Sequence, residues 1–203
     1  MKAILSFALI LLSVSYAIAT TPISERPLVL LDTSYGAITL RLHVDEAPLT
    51  CENFLHYVRD GFYNNTLFHK VVDGFIVQGG GFEQNFKAKP YRKPIRNESR
   101  NGLLNKRGTV AMALTTDVNS AASQFFINVA DNTDLDYSTR KGRGFTVFAE
   151  VIDGMPVVDK IKKVRTKRVS IYSDLYDRYV PMYNVPEFDI LIKEAKILRD
   201  IQH

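Results

Sequence analysis

The fold of this chain is best predicted from the stretch FHKVVDGFIVQGGGF, residues 68–82. Its apolar residues surround a histidine and a lysine, and the stretch closes on three consecutive glycines. A strand that only covers a core keeps its charges on the solvent-exposed face. Lys70 stands instead between Phe68 and Val71, so the stretch indicates an apolar surface served by one long cation.

Short apolar segments bounded by turn residues recur along the whole chain. Leu28–Asp32 and Ala37–His43 are predicted to pair as a hairpin, while Cys51–Asp60 and Met155–Val164 have helical spacing. The other predicted strands are Leu67–Val72, Phe75–Gln78, Thr109–Leu114, Gln124–Val129, Thr146–Val151 and Phe188–Leu198. Many short strands with two isolated helices predict a mainly β protein, a closed antiparallel barrel with helices over its ends.

Two segments do not follow this pattern of strands and helices. Gly79-Gly80-Gly81 lacks the lysine and hydroxyl residue of a phosphate-binding loop, so we expect these glycines to allow a tight turn and a close backbone approach. Residues 165–188 hold four tyrosines among charges and two prolines. They are predicted to form an ordered surface loop, with a tyrosine-rich contact surface as the alternative.

The first 19 residues have the pattern of a secretory signal peptide. Lys2 is their single charge, an apolar stretch follows, and small residues surround the end of the segment at Ala19. The apolar stretch is well short of the ~20 residues that span a bilayer. We predict a signal peptide at 1–19, one domain at 20–203 and no membrane attachment after cleavage. This pattern predicts export, to a bacterial periplasm first and to the medium as the second choice. Residues 199–203 carry no ER-retention signal, which weighs against residence in the ER.

Composition and charge exclude several classes of protein. Apolar residues make up 46% and charged residues 24%, a globular balance rather than a disordered one. The net charge of +4 is spread over scattered basic residues, without the broad basic face that nucleic-acid binding needs. Cys51 is the only cysteine, and the histidines are never at metal-ligand spacing. We expect a monomer with no metal, no cofactor and no nucleic-acid partner.

The apolar segments also predict a ligand-binding groove. Its candidate walls are Phe75, Ile76, Ala113, Phe126 and Leu135, with Gln78, Gln124 and Lys70 reaching in. Taken singly, most of these residues are more typical of a core. Their combination, an apolar surface with a few fixed polar groups, is typical of a binding site.

Four long motifs resemble one known family. They are FHKVVDGFIVQGGGF (68–82), NGLLNKRGTVAMA (101–113), SQFFINVADNTDLD (123–136) and FTVFAEVIDGMPVVDKI (145–161). Their order and spacing resemble the cyclophilin-type peptidyl-prolyl isomerases, over most of the mature chain. Together with the predicted signal peptide, they are most similar to exported bacterial members.

The resemblance implies a closed eight-stranded barrel capped by two helices, with a proline-binding groove on its outer face. Carried over by position, the proline pocket falls on Phe75, Ile76, Phe126 and Leu135, the polar groove residues on Gln78 and Gln124, the peptide-pairing backbone on Ala113 and Leu114, and the last groove position on Phe145. The family's catalytic donor is an arginine, and this chain has Lys70 there. The implied partners are proline-containing polypeptides, and neither a metal nor a cofactor is required.

Two functions are left open by these residues. The first is an enzyme that accelerates rotation of X-Pro bonds while exported proteins fold. The second is a chaperone or adaptor that binds proline-containing segments with little turnover. Lysine keeps the charge of arginine but lacks the planar fork that can hold two acceptors at once. Lys70 is therefore the residue that separates the two functions.

Overall fold

A computed structural model describes residues 26–173 and 177–199, so the predicted signal peptide at 1–19 lies outside the described residues. The strands are β1 (Leu28–Thr33), β2 (Gly36–Leu42), β3 (Thr66–Val72), β4 (Ile76–Glu83), β5 (Thr109–Met112), β6 (Phe125–Asn128), β7 (Val147–Asp153), β8 (Thr166–Ser173), β9 (Arg178–Pro186) and β10 (Leu191–Arg199). The helices are α1 (Pro48–Arg59) and α2 (Met155–Ile161). Within the described ranges, neither helix is long and apolar enough to cross a membrane.

Eight of the strands close into one barrel. Their order around it is β1-β10-β3-β4-β6-β5-β7-β2, and the last strand pairs back onto the first. Every neighbouring pair is antiparallel. The predicted fold, a closed eight-stranded antiparallel barrel with two helices, is confirmed.

Alternate residues of the strands form two separate apolar clusters. Val77, Phe125 and Ile127 belong to the large cluster that fills the barrel and includes side chains of both helices. Their neighbours Ile76 and Phe126 belong to a small second cluster, completed by Ala111 and Val147. Because successive side chains of a strand point to opposite faces, the small cluster lies on the outer face of the barrel.

Helix α1 seals part of the barrel interior. Phe54 is fully buried, and its ring lies 5.6 Å from that of Phe125 and 5.1 Å from that of Phe148. The helix begins at Pro48, three residues before the predicted start. Pro is favoured at the first helical position, and the backbone N–H groups of residues 49 and 50 donate to the distant carboxylate of Glu98. That cap joins residues far apart in the sequence, so local spacing did not reveal it.

Cys51 lies on the buried side of α1. It is fully buried, and its thiol donates to the carbonyl oxygen of Phe148 at 3.4 Å. Burial raises the pKa of this thiol well above its usual value. The thiol is therefore held protonated and away from solvent, as a small core residue.

The described residues of 165–188, which leave out 174–176, do not form the predicted surface loop. Strands β8 and β9 pair antiparallel as a hairpin outside the barrel, with Val169 opposite Met182 and Ile171 opposite Val180. Tyr172 and Tyr179 also face each other, with ring centroids 5.5 Å apart. The alternation was hidden because both faces of the hairpin stay largely exposed. The final barrel strand accordingly begins at Leu191, three residues after the predicted start.

The three glycines lie inside β4 and do not make the predicted turn. Pairing with β3 runs from Phe68–Gly79 to Thr66–Glu83, so β4 carries two extra residues between these pairs. Gly80 is in the left-handed region, with φ +80, which few other residues adopt readily. The glycines thus form an irregularity in the strand. The predicted close approach is confirmed, since a Cβ on Gly81 would lie 2.5 Å from Cγ of Gln124.

Candidate active site

A β-bulge in β3 sets the direction of Lys70. Phe68 pairs with Gly79 and Lys70 pairs with Gln78, so two steps along β3 match one step along β4. The extra residue is His69. With strict alternation, Lys70 would point to the same side as Phe68, into the barrel. The bulge turns Lys70 to the outer face instead, which explains how a cation fits into this apolar strand.

Lys70 begins a row of side chains that runs across the outer face. It stands opposite Gln78, Gln78 opposite Phe126, and Phe126 opposite Ala111. Phe126 is 2% exposed, and its ring makes an edge contact with Phe145 at 5.6 Å between centroids. The row therefore places one cation and one amide beside the small apolar cluster.

A cavity of about 180 Å³ opens above this row. Its lining contains nine of the predicted site residues: Lys70, Phe75, Ile76, Gln78, Ala113, Leu114, Phe126, Leu135 and Phe145. They come from β3, β4, β6 and three connecting segments. The fold thus brings together residues that stand up to 75 positions apart in the chain.

Gln124, the tenth predicted residue, lines an adjoining cavity of about 150 Å³ that shares Gln78, Ala113 and Leu114 with the first. The Gln78 amide Nε2 donates to Gln124 Oε1 at 2.9 Å. Because Gly81 has no Cβ, the Gln124 side chain can lie against the backbone of β4. The two glutamines therefore form a fixed polar boundary between the cavities.

Lys70 has no competing partner in the described part of the chain. Its side chain is half-buried, and no hydrogen bond or ion pair joins it to a described residue. The adjacent His69 is 3% exposed, and its burial lowers its pKa to about 4. Hydrogen bonding at the Leu67 backbone opposes this shift, and the charge of Lys70 adds to it by a smaller amount. Near neutral pH His69 is thus uncharged. Among the residues that the structure describes, Lys70 is the one titratable side chain that lines the 180 Å³ cavity.

Comparison with known proteins identifies the family. The sequence model described as "Cyclophilin type peptidyl-prolyl cis-trans isomerase/CLD" matches residues 28–186. The chain belongs to the cyclophilin family. Peptidyl-prolyl cis-trans isomerase B of Escherichia coli (strain K12) is 49% identical over 167 residues, covering 81% of this cyclophilin and 96% of the relative. Peptidyl-prolyl cis-trans isomerase A of Dickeya dadantii (strain 3937) is 48% identical over 171 residues, covering 84% of each chain.

Solved structures agree with this assignment. A cyclophilin-type isomerase of Cryptosporidium parvum superposes with a TM-score of 0.67 at 25% identity, covering 86% of this chain and 99% of that one. A crystal structure of that protein in the presence of the dipeptide Ala-Pro gives a TM-score of 0.66 at 26% identity, covering 85% and 99%. The predicted family and the prediction of a peptidyl-prolyl isomerase are confirmed.

Some residues of this cyclophilin's groove were not predicted. Tyr91, Thr115 and Ser120 line the cavity around Gln124, and the Tyr91 side chain is 64% exposed there. Tyr91 lies in the long connection after β4, which has no apolar periodicity to place it. The role of His69 as the bulge residue was also missed, because a bulge depends on the pairing register between two strands. No group of three metal-ligating side chains occurs within residues 26–173 and 177–199.

Proposed function

We propose that this cyclophilin accelerates rotation of X-Pro bonds in exported polypeptides, with Lys70 as the donor to the prolyl nitrogen. The observation that supports this most is the direction of Lys70. A β-bulge turns it toward an apolar cavity, and no described residue holds its ammonium group. A cation kept free at this place is suited to a substrate rather than to the fold.

Isomerisation requires a hydrogen-bond donor and an apolar surface that excludes water, and it requires no proton transfer. Rotation about an X-Pro bond is opposed by ~18–20 kcal/mol, because amide resonance is lost in the twisted state. The prolyl nitrogen then becomes pyramidal and able to accept a hydrogen bond. A donor aimed at that nitrogen stabilises the transition state more than the ground state.

The walls of the cavity supply the second element. Phe126, Leu135 and Phe145 offer apolar surface for the pyrrolidine ring, and their exclusion of water disfavours the polar resonance form of the amide. Gln78 and Gln124 lie at the boundary where the preceding residue of the peptide would pass.

Backbone groups beside the groove suit an extended peptide. Ala113 N–H donates to the Gln124 carbonyl, but no described residue accepts from the Leu114 N–H. A substrate carbonyl can take that place, as an added strand does. The Leu114 side chain lines the cavity, so it contacts the peptide as well.

Family membership favours the enzyme over the binding module. The test is exchange spectroscopy by NMR on an X-Pro peptide mixed with purified residues 20–203. We expect accelerated cis–trans exchange. Binding without exchange would support the binding module instead, and no interaction at all would overturn the assignment of the groove.

We further propose that the protein acts after export, as a monomer in the periplasm, with secretion to the medium as the second choice. The support is the signal-peptide pattern of residues 1–19. Cell fractionation of the full chain, mass spectrometry and gel filtration test this. A periplasmic monomer that begins near Thr20 is expected, and a cytoplasmic protein with Met1 retained would refute export.

A further inference from the structure

Three buried asparagines form a chain of hydrogen bonds behind the groove. Asn132 Nδ2 donates to Asn128 Oδ1 at 2.7 Å, and Asn128 Nδ2 donates to Asn105 Oδ1 at 3.2 Å. Asn105 Nδ2 donates to Asp136 Oδ1 at 3.0 Å. The three side chains are 9%, 0% and 2% exposed, in the order Asn132, Asn128, Asn105. We call this set the asparagine chain. Its amides point head to tail and end on a carboxylate.

The asparagine chain holds three walls of the groove by their backbones. Asn132 Nδ2 also donates to the Phe75 carbonyl at 2.9 Å, and the Asn132 carbonyl accepts from Leu135 N–H. Asn105 Nδ2 lies 3.4 Å from the Phe145 carbonyl, and Phe145 N–H donates to Leu135. Phe75 lies in the connection before β4, whereas Leu135 and Phe145 lie in the connection between β6 and β7. The asparagine side chains add hydrogen bonds to the two backbone bonds already there, from Val129 N–H to the Phe75 carbonyl and from Phe145 N–H to the Leu135 carbonyl.

Packing alone does not require this arrangement. A buried amide without a partner is costly, so a strand position such as 128 is normally filled by an apolar side chain. Asn128 is fully buried on β6, two residues after Phe126, so its side chain lies on the same outer face. Its hydrogen bonds fix distances and directions that apolar contacts would leave adjustable. The asparagine chain is therefore suited to fixing the width of the groove.

We propose that Asn128 is a positioning residue of the isomerase, acting through the asparagine chain to hold Phe75, Leu135 and Phe145 at the spacing that a prolyl ring requires. This inference rests on the proposed function. It predicts that loss of the chain loosens the walls and weakens capture of the peptide. The position of Lys70 on β3 is independent of the chain, so turnover of bound substrate changes less.

The test compares Asn128→Leu with Thr109→Val. Thr109 Oγ1 accepts from the same Asn128 amide at 3.0 Å, but it leads to none of the three walls. Thr109→Val therefore removes one of the amide's hydrogen bonds, together with the bond from Thr109 Oγ1 to the Lys106 carbonyl, and keeps the asparagine chain. For each protein, kcat and KM on an X-Pro peptide and hydrogen exchange at the amides of Leu135 and Phe145 are measured at 25 °C.

We expect Asn128→Leu to raise KM at least ~5-fold above that of Thr109→Val, the effect of one lost hydrogen bond, while kcat changes by less than that. Exchange at both amides should accelerate only in Asn128→Leu. Equal KM values and equal exchange in the two variants would overturn the inference.

A second variant covers the case in which Asn128→Leu does not fold. Asp136→Asn keeps the shape of the last acceptor but removes its charge, which weakens its bonds to the backbone and side chain of Asn105. We expect Asp136→Asn to raise KM as well, by less than Asn128→Leu does. An unchanged KM would count against the asparagine chain. Failure of the proposed function would look different, because the unmodified protein would then show no isomerase activity at all.

Discussion

Two neighbouring residues of β6 show how differently the two faces of the barrel are built. Phe125 points inward, where its ring meets those of Phe54, Tyr63 and Phe68 at 5.5–6.2 Å between centroids. Phe126 points outward, where its aromatic neighbour is Phe145 and a cavity of about 180 Å³ lies beside it. Both rings are buried, with 0% and 2% exposure. Burial alone therefore does not distinguish a core residue from a residue of the groove; the space on the other side of the ring does.

The sharpest test of this comparison is to remove each ring in turn. Phe125→Ala empties a filled interior and should cost ~3–5 kcal/mol of unfolding free energy. Phe126→Ala should cost less, since its ring already borders a cavity, but it should abolish binding of X-Pro peptides. Urea unfolding and peptide titration measure the two effects. If Phe126→Ala unfolds the protein at 25 °C, Phe126 is core and the two faces are alike.

His69 is the bulge residue between the inward-facing Phe68 and the outward-facing Lys70. Because it is buried, we expect the free energy of unfolding to depend on pH. Its folded pKa is about 4, mainly because of burial, against ~6.5 in an unfolded chain. Between these pH values the unfolded state binds one more proton than the folded state. The contribution of His69 to the free energy of unfolding is therefore complete above pH ~6.5 and is lost as the pH falls toward 4. At ~1.4 kcal/mol per pH unit the loss approaches ~3 kcal/mol.

The measurement is urea unfolding of the wild type and His69→Phe at pH 7, 5.5 and 4. The difference between the two proteins should shift by up to ~3 kcal/mol over this range, in favour of His69→Phe at low pH. His56→Gln is the comparison variant for a surface histidine, because that side chain is 44% exposed and pairs at 3.1 Å with the similarly exposed Glu52. A constant difference between wild type and His69→Phe would show that His69 is not buried in its neutral form.

Lys70 tests whether the outer face does chemistry or only binds. We expect Lys70→Ala to lower kcat/KM by ~10–150-fold, the range for one lost charge-assisted hydrogen bond of ~1.5–3 kcal/mol. Lys70→Arg should raise it, since a rigid guanidinium can brace the substrate carbonyl and still direct an N–H at the prolyl nitrogen. Peptide affinity should change less than turnover. Equal kcat/KM in all three proteins would favour the binding module.

Gly81 tests the smallest feature of the outer face. An alanine Cβ there would come within 2.5 Å of Cγ of Gln124, so the Gln124 side chain must move and its bond to Gln78 is lost. We expect Gly81→Ala to fold normally and to bind X-Pro peptides ~5-fold more weakly, as for one net hydrogen bond of ~1 kcal/mol. Isothermal titration measures this, with Gln124→Ala as the matched variant. Unchanged affinity in both would remove the glutamine pair from the binding site.

The barrel was predictable because its strands bury one complete face. Val110, Phe125 and Ile127 lie in segments whose apolar character survives any shift of boundary by a residue or two. The hairpin of β8 and β9 was not predictable in this way, because both of its faces stay largely exposed and its alternation carries no burial signal.

The candidate site divides along a similar line. Eight of the ten predicted residues were proposed from the apolar segments, and the family resemblance added Leu114 and Phe145. The fold brings nine of the ten around one cavity, with Gln124 beside it. The bulge at His69 and the hydrogen bond from Asn132 to the Phe75 carbonyl could not be predicted from the sequence. Both depend on which residues of distant segments stand opposite each other. Apolar alternation in a sequence shows which face of a strand is buried, but it does not show the pairing register between two strands.

Because Cys51 is fully buried, the reactivity of its thiol reports on local opening of the folded protein. The chain has a single thiol, and that thiol is fully buried and hydrogen-bonded to the backbone of β7. A thiol reagent can therefore modify it only when α1 leaves the barrel. The rate of labelling in native buffer measures the opening of this interface directly, without an added dye or an engineered label. Comparing that rate for the Phe125 and Phe126 variants would show, on a single sulfur atom, how far a change on either face is felt in the interior.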